Sequence, residues 1–215
     1  MSGLIQVQVN KLARMLNLSA QLDRTARIQQ QKQQIYAYRN QLLSQQLNRL
    51  IQADDVGSTA YGKPYLVHFP AFYFNHSHSQ KHYALASSSQ LQDLGVDIED
   101  LDRKVRFAAL ARHAFHADEL QRWNQLGQDP AYWFKVWTTK EAVLKACGLG
   151  VRLNLNELNT HVHPLYDAGI CHHPLIGHFA YQNFQLTNSM LTLAWRSSAA
   201  DIALNCPKIE LLWSA

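Results

Sequence analysis

The sequence predicts an α+β chain from three observations. A Gln- and Leu-rich stretch free of Gly and Pro occupies the first quarter, one helix with a broad apolar side lies past the middle, and alternating runs gather toward the end. At 215 residues with 47% hydrophobic content, the chain has enough apolar material for one domain or for two small subdomains sharing a core. A division near residue 92 is expected, giving an N-terminal subdomain over residues 1–92 and a C-terminal subdomain over residues 93–215.

From Leu18 to Gln52 the composition and the spacing of Leu43, Leu47, Leu50 and Ile51 predict one or two helices, with QQQKQQ (29–34) as an exposed face. Gly62, Pro64 and Pro70 then break YGKPYLVHFPAF into an irregular loop with short extended pieces. HYALASSS and LGVDIED read as strands, 105–126 as helical, and the run from Tyr132 to Cys147 as a helix stopped by Gly148 and Gly150. Beyond it ELNTHVH, HFAYQNFQL, MLTLAWR and IELLWSA read as strands separated by turn residues.

Several function classes fall away on composition. No run approaches the roughly 18–20 apolar residues of a membrane span, and MSGLIQVQVNK is too polar for a signal peptide, so a cytoplasmic protein is expected. Cys147, Cys171 and Cys206 are odd in number and far apart, which indicates inert thiols rather than disulfides or a zinc knuckle. His76 and His78 lack further ligands at zinc spacing. The net charge of +4 favours acidic partners, but no nucleic-acid-binding motif accompanies it.

LGVDIED (94–100) concentrates acids in a chain that has only 16. On a strand, Val96 and Ile98 share one face while Asp97 and Glu99 share the other, their Cα atoms about 7 Å apart. Two such carboxylates either stay solvated at an exposed strand end or share a hard divalent cation, and Mg²⁺ needs only one or two of them when a phosphate completes its shell. Asp100, on the opposite face, is expected to be a turn or cap residue.

WFKVWTTKEAVLKACGLG (133–150) places Val136, Trp137, Val143, Leu144 and Cys147 on one apolar side of a helix. Glu141 and Lys145 stand four apart at its edge, either as a surface ion pair or as members of a site. Lys140 falls inside the apolar stripe, where an ammonium is costly unless it snorkels out or meets an anion.

GVDIE at 95–99 followed by WTTKEAVLKACGLG at 137–150 resembles the paired signature of the 4'-phosphopantetheinyl transferases, G-[IV]-D-[IVL]-E and W-x-x-K-E-[SA]-x-x-K. YGKP (61–64), FNHSHS (74–79) and ARHAFHADEL (111–120) are similar to further elements of the same family, with His113 where an aromatic is usual. The length suits the larger, surfactin-type class of two pseudo-symmetric subdomains, each a helix on a small antiparallel sheet.

The resemblance implies Mg²⁺-dependent transfer of phosphopantetheine from coenzyme A to a serine of an acyl or peptidyl carrier protein, releasing 3',5'-ADP. It implies Asp97, Glu99 and Glu141 as metal ligands, Glu141, Lys145 and Lys140 as catalytic, and Arg39, Lys63, Ser77, His78 and Lys145 as contacts of coenzyme A. A monomer is expected, and the pathway served stays open. Arg103, Lys104, Arg106 and Arg112 form a basic cluster suited to an acidic carrier, though any one of them reads equally as a solvated charge. The alternatives are a non-catalytic descendant of the same fold and a Mg²⁺-dependent phosphohydrolase or nuclease.

Overall fold

The computed structural model describes residues 3–19, 21–198 and 206–214. Met1 and Ser2 of MSGLIQVQVNK, Ala20 of the helical stretch and Ala215 of IELLWSA lie outside the described residues. The chain opens with a strand, Leu4–Lys11 (β1), whose Ile5, Val7 and Val9 are fully buried in strict alternation. One helix follows, Arg24–Leu47 (α1). The Asp23 carboxylate accepts from the Ala26 amide at its start, and Asn48 ends it in the left-handed region at φ 47°. Its QQQKQQ stretch is exposed or half-buried, as expected.

Val56–Ser58 (β2) and Pro64–Leu66 (β3) form a small hairpin, and Tyr73–His78 (β4) and His82–Ser88 (β5) a longer one. The second half begins with Leu94–Asp100 (β6). The stretch read as helical over 105–126 divides into Phe107–Ala114 (α2) and Ala117–Gln125 (α3). Phe115 and His116 are extended between them, and His116 with Glu119 caps α3 reciprocally. Pro130–Cys147 (α4) follows, then Ala168–His173 (β7), Gly177–Gln185 (β8), Ser189–Arg196 (β9) and Lys208–Ser214 (β10).

Two four-stranded sheets result, ordered β10-β1-β5-β4 and β6-β9-β8-β7. The halves share a plan: a strand, a helical part of one helix in the first half and three in the second, then strands of which the last pairs antiparallel with the first, β5 with β1 and β9 with β6. The α+β class and the helix-on-sheet halves stand as expected. One edge departs from a purely antiparallel pattern, because β10 returns from the chain's end to lie parallel to β1.

The core has three regions. Ile35, Leu42 and Leu43 of α1 pack on Phe74, Tyr83 and Leu85. Ile5, Val7, Val9, Ala84 and Ala86 meet Leu94, Val96, Ile98, Leu191 and Leu193 between the sheets. The aromatic side chains of α4 pack with α2, α3 and the outer face of the second sheet. Among the described residues no helix is long and apolar enough to cross a membrane.

Two expectations are corrected. ELNTHVH is not a strand: Leu155–Glu157 makes a 3₁₀ turn, His161 has φ 54°, and the Thr160 amide donates to Glu119 rather than to a ladder. AGICHH, unassigned from sequence, supplies the edge strand β7.

Gly95 decides how α4 docks. A Cβ there would lie 2.1 Å from the Ala142 carbonyl oxygen and 2.5 Å from the Ala146 amide nitrogen, so β6 and α4 touch backbone to backbone. Gly95→Ala is expected to destabilise by ~3 kcal/mol through overpacking, read by chemical denaturation. A loss under ~0.5 kcal/mol would mean that the two elements need not approach so closely.

Candidate functional site

The close approach at Gly95 brings the acidic face of β6 to α4. Val96 and Ile98 fill the inter-sheet core, while Asp97 and Glu99 point the other way. Asp97 is only 4% exposed, which rules out the solvated strand end. Asp100 is 1% exposed; its Oδ1 pairs with the imidazole of buried His82 at 2.5 Å and its Oδ2 accepts from the Lys81 amide (2.8 Å), so it caps the β4–β5 turn, as expected of a turn or cap residue, and fastens β6 to it.

On α4 almost every side chain is buried, but Trp137, Glu141 and Lys145, spaced by four, are half-buried. They line a cleft of about 570 Å³. Its other walls are the Tyr61–Pro64 loop, Asn75 and His76 of β4, Leu110, His113 and Ala114 of α2, and the 153–155 segment. Trp137 is therefore a cleft wall stacked on Trp133 (ring centroids 5.2 Å apart) rather than core.

Lys145 does not pair with Glu141. Its Nζ donates to Asp97 Oδ1 (2.6 Å) and to Ser77 Oγ (2.8 Å), and the Ser77 hydroxyl in turn donates to Asp97 Oδ1 (2.8 Å). Arg103, from the basic cluster, donates to Glu99 Oε1 at 2.5 Å. Asp97 Oδ2 and Glu99 Oε2 remain buried with no hydrogen-bond partner. Burial raises the carboxyl pKa of Glu99 above its ordinary value, and the Asp97 charge adds to the rise, against the Arg103 hydrogen bond. Burial likewise raises Glu141, then Asp97, with Lys145 opposing. The cluster is thus short of positive charge. Even so, among the described residues no three His, Cys, Asp or Glu side chains are gathered as metal ligands.

The remaining expected residues divide. Ser77 joins the centre directly. His78 is exposed and lines an adjoining hollow of about 480 Å³ with Lys32, Tyr36, Ser77 and Lys145. Arg39, 6% exposed, donates to Asn40 Oδ1 (3.0 and 2.9 Å) and lies 4.7 Å from the Tyr36 ring centroid, beside a third hollow whose described lining holds no acid. Lys63 reaches the cleft, but its Nζ donates to the Ala146 carbonyl (2.5 Å) and lies 3.6 Å from Asp93, so it also caps the end of α4.

Lys140 is the correction. It is fully buried away from the cleft, with its Nζ 2.7 Å from Glu119 Oε2 and donating to the Leu155 and Leu158 carbonyls. It therefore has no donor left for a phosphate. Sequence reasoning gave no role to His76, which lines all three hollows. Burial, then the charges of Arg39 and Lys145, lower its pKa to about 3, so the imidazole is neutral, and its buried Nδ1 has no partner. It occupies the unspecified position of FNHSHS, and no local pattern marks it.

Fold and cleft together define an α+β protein with a carboxylate–lysine centre beside a cleft between β4 and the helices α2 and α4. The sequence model of the 4'-phosphopantetheinyl transferase superfamily matches residues 93–189 of this chain. It is 36% identical over 99 residues to the 4'-phosphopantetheinyl transferase psf-1 of Bacillus pumilus, covering 44% of this chain and 40% of the relative. Against a candidate 4'-phosphopantetheinyl transferase of Synechocystis sp. the identity is 33% over 121 residues, 54% of this chain and 49% of the relative. Against the 4'-phosphopantetheinyl transferase of Bacillus subtilis it is 30% over 105 residues, 48% and 45%. The chain thus spans less than half the length of these relatives.

A glutamate whose pKa is raised on folding binds more protons in the native than in the unfolded state, so its ionisation lowers stability as pH rises past the ordinary carboxylate range. Glu141→Gln removes that penalty. Its melting temperature is expected to exceed that of the parent at pH 7 and to converge with it as pH falls to about 4. A variant less stable than the parent at pH 7 would mean that the Glu141 charge is already compensated.

Proposed function

We propose that the protein transfers the 4'-phosphopantetheine group of coenzyme A to a serine of an acyl or peptidyl carrier protein, releasing 3',5'-ADP. The observation that carries this reading is the centre itself: Glu141 and Lys145 line the cleft, Asp97 pairs with Lys145 behind them, and Asp97 and Glu99 each keep a buried carboxylate oxygen without a partner. Clustered carboxylates that keep buried, unpartnered oxygens suit a hard cation with oxygen ligands, so Asp97, Glu99 and Glu141 would hold Mg²⁺. Bound there, Mg²⁺ supplies positive charge that offsets the pyrophosphate of coenzyme A.

The chain's own groups do the rest. The serine hydroxyl of the carrier attacks the phosphorus that bears pantetheine, a new P–O bond forms, and the bond to the departing 3',5'-ADP breaks. Glu141 is assigned the hydroxyl proton, since a carboxylate of raised pKa is a better match to neutral pH. Lys145, shared between Asp97 and Ser77, is the ammonium beside the phosphates and stabilises charge developing on the leaving group. Arg39, Ser77 and His78, in the adjoining hollows, are assigned to the 3'-phosphate and nucleotide, and Lys63 to the cleft wall. Lys140 is assigned no contact with the ligand.

With this reading go a monomer acting in the cytoplasm and a division of the chain at residues 92 and 93. One observation favours a second reading, a non-catalytic binder of coenzyme A or carrier protein: the carboxylates are not pre-assembled as a ligand set among the described residues.

Intact mass spectrometry of an apo carrier protein incubated with this protein and coenzyme A, with Mg²⁺ or with EDTA, separates the two. The expected result is a gain of one phosphopantetheine with Mg²⁺ only. Asp97→Ala and Glu141→Ala are expected to abolish the gain while the far-ultraviolet spectrum is unchanged, and His78→Ala to raise the KM for coenzyme A with little change in kcat. No gain on fatty-acid, polyketide and peptide-type carriers would favour the binder.

A further inference from the structure

The segment from Asn154 to Thr160 walls the cleft through Asn154 and Leu155, yet beyond the Leu155–Glu157 turn it belongs to no helix or strand. Apart from the bonds of that turn, the carbonyls of Leu155 and Leu158 and the Thr160 amide are met by one buried ion pair. Lys140 Nζ donates to the Leu155 carbonyl (2.8 Å) and the Leu158 carbonyl and pairs with Glu119 Oε2 (2.7 Å), which uses all three of its protons. Glu119 Oε1 accepts from the Thr160 amide (2.8 Å) and hydroxyl (2.5 Å), and Oε2 also accepts from the His116 amide (2.8 Å). Both partners are almost wholly buried, at 0% and 3% exposure.

A buried ion pair adds little net stability over apolar side chains of similar volume, because desolvation offsets the attraction. What it does supply is direction. The fixed donors and acceptors of Lys140 and Glu119 permit one path of the 154–160 backbone across α3 and α4. Lys140 also precedes Glu141 on α4, so the same turn of helix that fixes the wall presents a carboxylate to the cleft.

We infer that the Lys140–Glu119 pair is a positioning device, which pins the 154–160 segment as the outer wall of the cleft and so sets how coenzyme A is received. The inference rests on the transferase reading. Neither side chain touches the ligand, and the pair acts through Asn154 and Leu155.

The test uses Lys140→Met, Glu119→Gln and Thr160→Val, with three readouts: hydrogen exchange of the 154–160 amides, coenzyme A titration by calorimetry, and the separate kcat and KM of transfer. Lys140→Met is expected to lose exchange protection over 154–160 and to raise the KM for coenzyme A roughly tenfold, with kcat within about threefold. Glu119→Gln, which keeps the shape but turns one acceptor oxygen into a donor and leaves the Lys140 ammonium without its anion, is expected to lose protection and raise KM in the same direction. Unchanged exchange overturns the inference. So does a lowered melting temperature with KM and kcat intact, which marks a purely structural pair, and so does a fall in kcat alone, which would put Lys140 at the reacting groups.

If Lys140→Met does not fold, Thr160→Val decides. It keeps both charges and removes one tether, so a smaller rise in KM with partial loss of protection supports the inference and no change in either overturns it. A parent protein that neither binds coenzyme A nor transfers sinks the transferase reading, while the exchange data still decide whether the pair holds the wall.

Discussion

The contact between Gly95 and the Ala142–Ala146 backbone is the constraint on which the rest of the structure depends. A strand and a helix ordinarily keep their side chains between them. Here a glycine removes that spacer, and the carboxylates two and four residues on, Asp97 and Glu99, come to the same end of α4 as Glu141 and Lys145. The same contact spaces the second sheet from α4, with Thr138, Thr139, Thr192 and Asn183 joined by hydrogen bonds in the layer between them. One missing methyl group thus sets both a packing distance and the density of charge at the cleft.

That density works against folding. Burial, with the neighbouring Asp97 charge, raises the pKa values of Glu99 and Glu141, and folding sets cations within reach of the cluster, Lys145 on Asp97 and Arg103 on Glu99. The offset is incomplete, since one oxygen of Asp97 and one of Glu99 have no partner, and Glu99 and Glu141 still lie above their ordinary values. Stability given up locally is what a ligand-binding centre requires, because only interactions left unmade in the free protein are available to the ligand.

Much of this was legible in the sequence. The alternation of LGVDIED assigned Asp97 and Glu99 to one face, and Gly148 marked the end of α4, where it is left-handed. Local signals could not report partnerships made at long range. β10 finds β1 across almost the whole chain, and nothing in IELLWSA says that its pairing is parallel. ELNTHVH has a strand's composition, but its amides and carbonyls are claimed by Glu119 and Lys140 before any ladder forms. The helical stretch 105–126 breaks at Phe115 and His116, where a capping box competes with helix continuation.

Lys140 and Lys145 show where periodicity stops being informative. Five residues apart on one helix, they are separated by about 140° around its axis, so they cannot serve the same site. The sequence rightly marked Lys140 as costly among aromatics, since a buried ammonium requires an anion. Two anions were available in principle: a phosphate arriving with a ligand, or a carboxylate from a distant segment of the chain. Glu119 supplies the second, with two backbone carbonyls completing the ammonium's shell. Of the two, Lys145, half-buried and on the same stripe as Trp137 and Glu141, is the one that reaches the cleft, where Ser77 and Asp97 hold it until something more negative competes for it.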